Sequence, residues 1–256
     1  MYMETYFLIV FFVLGAIMGS FYHVVATRLS NDESIIKPGS HCPKCNHFLS
    51  WYENIPIISY IILKGKCKNC HSKIPISYWI VEVVTGLLFS VCYHAFGFSI
   101  DLLVALVFVS SLIIVIVSDI EYMIILDEVL MASSLIIILI YIFGVSFEEA
   151  AYHIYSGVGA FLAMYAIKIL GDKAFKKESL GGGDIKLMFL FGLVIGFPMS
   201  ICTIFLATFI AFPVALLILF SDKENVIPFG PFLSMAAIIL LISKFTLTDI
   251  LNFLIK

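Results

Sequence analysis

The sequence places a carboxylate, Asp184, directly after three glycines and at the start of an apolar run, in SLGGGDIKLMFL (Ser179–Leu190). Burying a charge is costly and glycine weakens a helix, so this arrangement needs an explanation. In one interpretation Asp184 is an ordinary helix N-cap, which stabilises a helix by about 1 kcal/mol. In the other, Asp184 follows glycines without side chains because its carboxylate takes part in a reaction at the membrane boundary.

A second acidic cluster lies about 65 residues earlier, in SDIEYMIILDEV. Its members are Asp119, Glu121, Asp127 and Glu128. Two carboxylates in contact share a proton, so that one acts as general base on a water while the protonated one polarises a carbonyl. If the fold brings Asp184 to one of these acids, the pair could hydrolyse peptides. The spacing alone does not choose among the four.

Four cysteines form a third candidate site, in two Cys-x-x-Cys pairs separated by 21 residues. They are Cys42, Cys45, Cys67 and Cys70. This spacing predicts a structural zinc site, because two such turns close a tetrahedron of sulfurs and leave no open position for a substrate. The alternatives are two disulfides, which a reducing cytoplasm disfavours, four free thiols, and a redox pair, which normally opens a helix of a thioredoxin-like unit.

The remaining cysteines and the loop histidines receive structural roles. Cys92 and Cys202 lie in apolar runs and are interpreted as small hydrophobic residues. The three histidines beside the cysteine pairs are interpreted as solvated groups or neighbours of the ligands rather than as ligands: His41, His47 and His71.

The elements that position these residues are predicted to be membrane helices. The chain is 62% hydrophobic and 13% charged, with a mean hydropathy of +1.09, whereas soluble domains carry about a quarter charged residues. The N-terminal run is long enough to span and lacks a basic n-region, so we expect a true first helix rather than a cleaved signal. The window Leu187–Ser221 exceeds one crossing and is split at Gly196-Phe197-Pro198 into a short and a longer helix.

This gives an all-α protein of about eight transmembrane helices, or seven if the short one is re-entrant. The charge-free windows are Thr5–Thr27, Val83–Ile100, Leu102–Ser118, Val129–Phe147, Ala150–Ile167, Leu187–Ser221 (two helices) and Asn225–Ser243. A final segment, FTLTDILNFLIK, is read as a short interfacial helix.

The basic residues predict the orientation. The loop from Arg28 to Lys73 carries seven of the fifteen lysines and arginines, the stretch Lys168–Lys186 carries five, and Lys223 adds one. With eight spans these thirteen fall on one side, which the positive-inside rule makes cytoplasmic. Both acidic clusters are then expected on the same side as the cysteine loop, and both termini on the other.

Two rival functions remain open from the residues alone. A proton- or cation-coupled transporter could use Asp119 and Asp184 as a carboxylate relay, although both acids lie at one face and no inverted repeat is visible. A non-catalytic scaffold could dock through its zinc loop, and it predicts that removing either carboxylate is silent.

Five segments in the right order resemble the type IV prepilin peptidases, which are intramembrane aspartyl proteases with a Gly-x-Gly-Asp motif. His23, Ser30 and Leu126 depart from the family's usual pattern. The matching segments are GSFYHVVATRLS (Gly19–Ser30), the double cysteine pair with ENIPIISYIILKGKC and ISYWIVE, SDIEYMIILDE, GGGDIKL, and VIPFGPFLS (Val226–Ser234).

The resemblance implies that Asp119 and Asp184 are the catalytic pair. It also implies supporting roles for Gly181, Gly183 and Lys186, and it demotes the other three acids of the first cluster to supporting or structural roles.

The family is further expected to cleave the basic leader of type IV prepilins and of pseudopilins, the precursors used in pili and protein secretion, after a glycine at the cytoplasmic face of the inner membrane. Many members also methylate the new N-terminus with S-adenosylmethionine. Methylation rests on the resemblance, because the chain has no Gly-x-Gly-x-x-Gly fingerprint. The implied organisation is a first helix (1–27), a cysteine loop (28–76) and a peptidase domain (77–256).

Overall fold

The computed structural model describes residues 2–176, 180–220, 227–246 and 248–249. Within these residues the regular structure is helical, and the two antiparallel contacts of extended backbone are isolated pairs in the cysteine loop. The chain separates into two compact units, an N-terminal unit (Met1–Phe98) and a C-terminal unit (Ser99–Lys256). The all-helical architecture expected from the sequence is confirmed.

The N-terminal unit consists of two long helices and the cysteine loop between them. Its elements are α1 (Tyr2–Ser30), a 3₁₀ turn (Trp51–Asn54), α2 (Ile58–Ile62) and α3 (Ile76–Phe96). The two long helices touch at glycines: a Cβ added to Gly15 would lie 2.6 Å from the carbonyl oxygen of Thr85, and one added to Gly86 would lie 2.9 Å from that of Phe12. Small residues at such crossings let membrane helices pack backbone to backbone.

The described residues of the C-terminal unit form six helices. They are α4 (Ile100–Tyr122), α5 (Asp127–Gly144), α6 (Phe147–Phe175), α7 (Gly182–Ile195), α8 (Phe197–Leu219) and α9 (Gly230–Ser243). The short α7 is its buried centre, since the Leu187, Leu190 and Phe191 side chains are fully enclosed. Gly196, with φ +82°, separates α7 from α8 at the break that the sequence predicted.

Eight apolar helices correspond to the eight predicted spans. Six of those described are long and apolar enough to cross a membrane: α1, α3, α4, α5, α6 and α8. The other two, α7 and α9, have 14 residues each, shorter than the roughly 20 that a full crossing needs. The chain is therefore a polytopic membrane protein in which a short, buried α7 carries Asp184.

Helix boundaries differ from the charge-free windows. The third span was expected to end at Ser118 and the fourth to begin at Val129, with the acidic cluster between them. Instead, Asp119 lies inside the last turn of α4, and Asp127 opens α5. A helix is defined by its backbone hydrogen bonds, and these can continue through charged residues. The helix therefore extends beyond the apolar window.

Some expectations concern residues outside those described, namely Lys177, Lys223, Val226 and most of the proposed C-terminal interfacial helix. The division into parts at residues 27 and 76 stays a prediction. In the structure α3 belongs to the same compact unit as the cysteine loop.

Candidate active site

A cavity of about 270 Å³ opens in the C-terminal unit where several helix ends meet. The last turn of α4, the α4–α5 linker, the first turn of α7 and the residues before α9 enclose it. Its lining residues are Asp119, Met123, Ile125, Gly181, Gly182, Gly183, Asp184, Pro228 and Phe229. The structure thus brings Asp119 and Asp184 to one cavity, although 65 residues separate them in the sequence.

Asp119 is held by the start of α9. Its side chain is buried, and the backbone N–H of Gly230 donates a hydrogen bond to its carboxylate. A Cβ added to Gly230 would lie only 2.5 Å from Oδ2 of Asp119, so only glycine leaves room for this contact. The sequence did not single out Gly230, because its partner is about 110 residues away; the PFGPF segment entered only through the family resemblance.

Asp184 occupies the third residue of α7 rather than its N-cap. The helix begins at Gly182 with Gly181 as N-cap, and the Gly181 N–H donates to the Asp184 carboxylate. The simple N-cap interpretation is therefore wrong in position. The carboxylate reaches back to the N-cap backbone, as the acid of a capping box does, and its charge favours the positive end of the helix dipole.

The two carboxylates interact through space as well as sharing the cavity. Asp119 lies close enough to Asp184 for electrostatic repulsion between their charged forms. Both are largely removed from water, with 6% of Asp119 and 8% of Asp184 exposed. A buried pair of acids in this arrangement is suited to holding one proton between them.

The linker between α4 and α5 forms part of the cavity wall. Met123 caps the end of α4 with φ +56° and donates its N–H to the Asp119 carbonyl oxygen at 3.0 Å. Ile125 then packs against the glycine segment: a Cβ added to Gly183 would lie 2.7 Å from the Ile125 Cβ. Gly183 is thus needed for close packing, whereas nothing lies within 4 Å of a Cβ added to Gly182.

The other predicted residues lie outside the cavity lining. Lys186 Nζ forms an ion pair with Asp127, which joins the first turns of α7 and α5, and both side chains are about half exposed. Glu121 and Glu128 are exposed at the end of α4 and the start of α5. Lys186 therefore contacts the acidic cluster through Asp127 rather than through either buried aspartate.

The four loop cysteines form one cluster in the N-terminal unit. All four sulfurs lie within 4.8 Å of one another, with Cys42–Cys70 at 3.8 Å and Cys45–Cys67 at 3.9 Å. All six cysteines of the chain are free thiols. Four sulfurs around zinc, at Zn–S bonds of about 2.3 Å, are separated by about 3.8 Å. Two of the sulfur separations match this value, and the widest, at up to 4.8 Å, would need to shorten by about 1 Å for all four sulfurs to bind one tetrahedral metal ion.

The two cysteine turns have the same local geometry. The N–H of each leading cysteine, Cys42 and Cys67, bonds to the carbonyl oxygen five residues later at 2.9 Å, and Asn46 and His71 occupy equivalent positions with φ near +55° (54° and 56°). Backbone N–H groups, first that of Lys44, lower the pKa of the Cys42 thiol to about 6. Although the backbone N–H of His47 opposes it, burial and the neighbouring thiols raise the pKa of Cys45 to about 11, so the four thiols of the cluster do not ionise alike.

The loop histidines do not join the cluster. His41 Nδ1 bonds the Gly39 carbonyl oxygen at 2.9 Å, and His47 contacts the Glu53 carboxylate at 3.3 Å. The Ser50 N–H, at 2.7 Å from Oε2, holds the pKa of the Glu53 carboxyl below its usual range. Sequence reasoning missed Glu53, because its burial arises from the folding of the loop.

Family models match both units of the chain. Residues 13–96 match the Bacterial Peptidase A24 N-terminal domain, and residues 106–216 match the Type IV leader peptidase family. The second match includes Asp119 and Asp184, and the first includes all four loop cysteines. No solved structure matches the chain.

Curated relatives carry the printed name prepilin leader peptidase/N-methyltransferase. That of Bacillus subtilis (strain 168) is 35% identical over 90% of this chain and 92% of its own length. That of Vibrio cholerae is 32% identical over 82% of this chain and 86% of its own length. That of Myxococcus xanthus is 37% identical over 75% of this chain, but the match covers only 57% of that longer protein.

Proposed function

The chain belongs to the type IV leader peptidase family, and we propose on that basis that it is a membrane-embedded aspartyl endopeptidase for type IV prepilins or pseudopilins. The observation that carries the proposal is the meeting of two buried carboxylates, Asp119 and Asp184, at one cavity. The family membership and the six helices of spanning length identify a multi-pass protein of the inner membrane.

In the proposed mechanism the two acids share one proton and a water lies between them and the scissile carbonyl. The ionised carboxylate takes a proton from the water, whose oxygen attacks the carbonyl carbon, while the protonated acid donates to the carbonyl oxygen. The tetrahedral intermediate then collapses as a proton passes to the leaving nitrogen and the C–N bond breaks. Backbone N–H groups of Gly230 and Gly181 hold the two carboxylates in place.

The glycine segment supports the substrate side of the proposal. Gly181, Gly182 and Gly183 line the cavity beside Asp184, and the space beside Gly182 is open. A substrate strand could therefore approach the backbone closely. We propose that cleavage occurs after a glycine of the substrate. Because that glycine has no side chain, the substrate backbone can also come close to the backbone of the enzyme.

The orientation proposed for the site is cytoplasmic. Thirteen of fifteen basic residues fall on the side predicted to hold the cysteine loop and both acidic clusters. A basic leader would then meet a lysine-rich face, so we propose that local acids such as Asp119 and Glu121 attract it. The apolar segment of the pilin would enter from the lipid beside the site.

The cysteine cluster is proposed to hold a structural zinc ion through Cys42, Cys45, Cys67 and Cys70. The sulfur separations support a tetrahedral four-thiolate site, which leaves no position for a substrate. The N–H groups at Cys42 and Cys67 tie both turns to their own backbone, so the ion would join two preformed halves of the loop.

A second activity, methylation of the new N-terminus, is proposed from the names of the relatives. S-adenosylmethionine, when bound, would supply the methyl group to an amine. The residues of this chain would bind that molecule and take up the proton that the amine loses.

The experiment that tests the peptidase uses purified protein in detergent and a prepilin with a basic leader and a Gly-Phe junction. Wild type, Asp119→Asn and Asp184→Asn are compared by gel shift and mass spectrometry, with Asp101→Asn as a matched control at the other end of α4. Cleavage after glycine by wild type and the control alone supports the dyad. Equal cleavage by all four proteins would contradict the proposed dyad.

The same experiment distinguishes the proposed peptidase from the rival transporter. Hydrolysis proceeds in detergent, whereas transport needs two compartments, so a carboxylate relay would give no turnover in this assay. Adding S-adenosylmethionine tests methylation, which increases the mass of the mature product by one CH₂ group.

A further inference from the structure

A short apolar helix in the cysteine loop, α2 (Ile58–Ile62), has none of its five residues buried. The side chains of Ile58, Ile61 and Ile62 are 54%, 60% and 71% exposed. Residues three and four apart share one face of a helix, so these three side chains form one apolar surface, the isoleucine face. Such a surface is unfavourable in water, and the position of α2 relative to the membrane indicates what covers it.

The start of α3 gives the level of the membrane surface beside this helix. With 21 residues (Ile76–Phe96), α3 is about 31 Å long and matches a hydrocarbon core of about 30 Å. The last charged residue before it is Lys73. Ile76 therefore lies near one edge of the core, and each further residue of α3 lies about 1.5 Å deeper.

Glu82 of α3 fixes the depth of the turn that leads into α2. It lies six residues after Ile76, which places its backbone about 9 Å below the edge of the core. Its Oε2 accepts the Ile57 N–H at 2.7 Å, and Ser20 of α1 also hydrogen-bonds its carboxylate. Helix side chains lean toward the N-terminus, so this carboxylate points back toward the surface. The Ile57 turn therefore lies within the part of the core next to the headgroups.

The backbone around α2 meets the requirement for a segment at that depth. Non-helical backbone below the membrane surface is tolerated only where its polar groups are paired within the protein. Glu82 pairs the Ile57 N–H, and the N–H groups of Ser59, Ile61 and Leu63 bond to carbonyl oxygens four residues earlier at 2.9–3.2 Å. Ile57 has φ +65°, which is unusual for a β-branched residue and indicates that the turn is held for the contact with Glu82.

Lysines follow the isoleucine face at the point where the chain turns away from it. Lys64 and Gly65 have φ +51° and +65°, and the chain then enters the second cysteine pair. The side chains of Lys64 and Lys66 are exposed. The whole stretch 54–81 contains four lysines and neither aspartate nor glutamate. An apolar face bordered by lysines is typical of helices that lie in the interface of an anionic membrane.

We propose that α2 is a membrane anchor within the cysteine loop. The isoleucine face inserts among the acyl chains of the adjacent leaflet, and Lys64 and Lys66 bind the phosphates of anionic headgroups. Glu82 holds the inserted turn against α3. The apolar helix of a pilin precursor is the competing occupant, but lipid supplies the acyl chains and the negative charge together. This anchoring goes beyond the proposed peptidase and is independent of peptide cleavage.

The test uses full-length protein in lipid nanodiscs with a single tryptophan as the probe. Trp51 and Trp79 are replaced by phenylalanine, and Ile62→Trp places the probe on the isoleucine face. Quenching is measured with lipid brominated on its acyl chain and with aqueous iodide. Ile36→Trp is the matched control, because Ile36 is 78% exposed in the part of the same loop that follows α1.

Ile62→Trp is expected to be quenched mainly by brominated lipid, because the isoleucine face lies among acyl chains. Ile36→Trp is expected to be quenched mainly by iodide. Quenching of Ile62→Trp by iodide alone overturns the proposal. If a prepilin protects Ile62→Trp from brominated lipid, the face binds the pilin helix and the lipid assignment is overturned as well.

The headgroup preference is measured with bromine on one lipid at a time. The nanodiscs contain equal amounts of phosphatidylglycerol and phosphatidylcholine, and the anionic lipid is expected to be enriched around Ile62→Trp by about fivefold. Lys64→Gln with Lys66→Gln should abolish this preference. Lys173→Gln with Lys244→Gln, which removes the same charge from the C-terminal unit, should keep it. Equal quenching by the two lipids with all lysines present overturns the headgroup assignment.

Two substitutions test the role of Glu82. Glu82→Gln keeps an oxygen that accepts the Ile57 N–H, so Ile62→Trp should remain quenched by lipid. Glu82→Leu removes the acceptor, so the probe should become accessible to iodide, while circular dichroism shows that the helices are retained. Unchanged lipid quenching with Glu82→Leu overturns the role given to Glu82. None of these measurements involves cleavage, so their outcome is separate from that of the peptidase experiment.

Discussion

Gly230 at the start of α9 donates its backbone N–H to the carboxylate of Asp119 at the end of α4, and the space between them leaves no room for a side chain. The contact fixes one of the two buried acids from an element that is distant in sequence. It also makes the geometry of the site sensitive to a single methyl group.

Replacing Gly230 by alanine is expected to lower cleavage by about a hundredfold or more, because a misplaced catalytic group can cost that much. The added Cβ would lie 2.5 Å from Asp119 Oδ2, so the carboxylate or the helix start must move. Measuring kcat/KM for leader cleavage checks this. Gly39→Ala is the control, since nothing lies within 4 Å of its added Cβ; unaltered cleavage by Gly230→Ala would contradict the assignment.

Two adjacent glycines are expected to respond differently to alanine. At Gly183 the new Cβ would meet Ile125 Cβ at 2.7 Å, so the variant should lose thermal stability and activity together. At Gly182 there is open space, so the variant should fold normally and raise KM for the leader, because the methyl group narrows the approach of the substrate strand. Thermal unfolding and cleavage kinetics of both variants separate the two effects, and equal stability losses would refute the distinction.

The sequence predicted the helices and the cysteine cluster well because both depend on local signals. The length of an apolar window reflects the length of a membrane crossing, and the spacing of metal-binding cysteine pairs can be read directly from the sequence. The exact helix ends were predicted less well. The windows stopped at the first charge, whereas α4 continues through Asp119 to Tyr122.

Contacts between distant segments could not be read from the sequence. Gly230 gains its role only when α9 packs against α4, and Glu53 becomes buried only when the cysteine loop folds. An N-cap was one of the two interpretations of Asp184, because polar side chains usually fill that position. Here a glycine fills it, and the acid reaches back from the third residue of the helix.

Lys186 is expected to contribute only modestly. Its ion pair with Asp127 has side chains that are 51% and 50% exposed, and exposed pairs stabilise by about 0–1 kcal/mol. Lys186→Met should therefore retain cleavage within about fivefold of wild type, given that 1.4 kcal/mol corresponds to tenfold. The charge-swapped double variant Lys186→Asp with Asp127→Lys should recover any loss. A complete loss that the swap does not restore would instead indicate direct contact with substrate.

Removal of the metal is expected to unfold the cysteine loop, because four free thiolates repel one another and the two turns then have no common ligand. The side chains of Lys64, Lys66 and Lys68 are already exposed, so Cys67→Ser, or treatment with a strong zinc chelator, should allow trypsin to cleave there by making the backbone flexible. Native protein should hold one zinc ion per chain, measured by release to a colorimetric chelator. Cys202→Ser, outside the loop, should keep both the zinc and the protection. Retained protection in metal-free protein would show that the loop is stabilised by its own backbone contacts rather than by the ion.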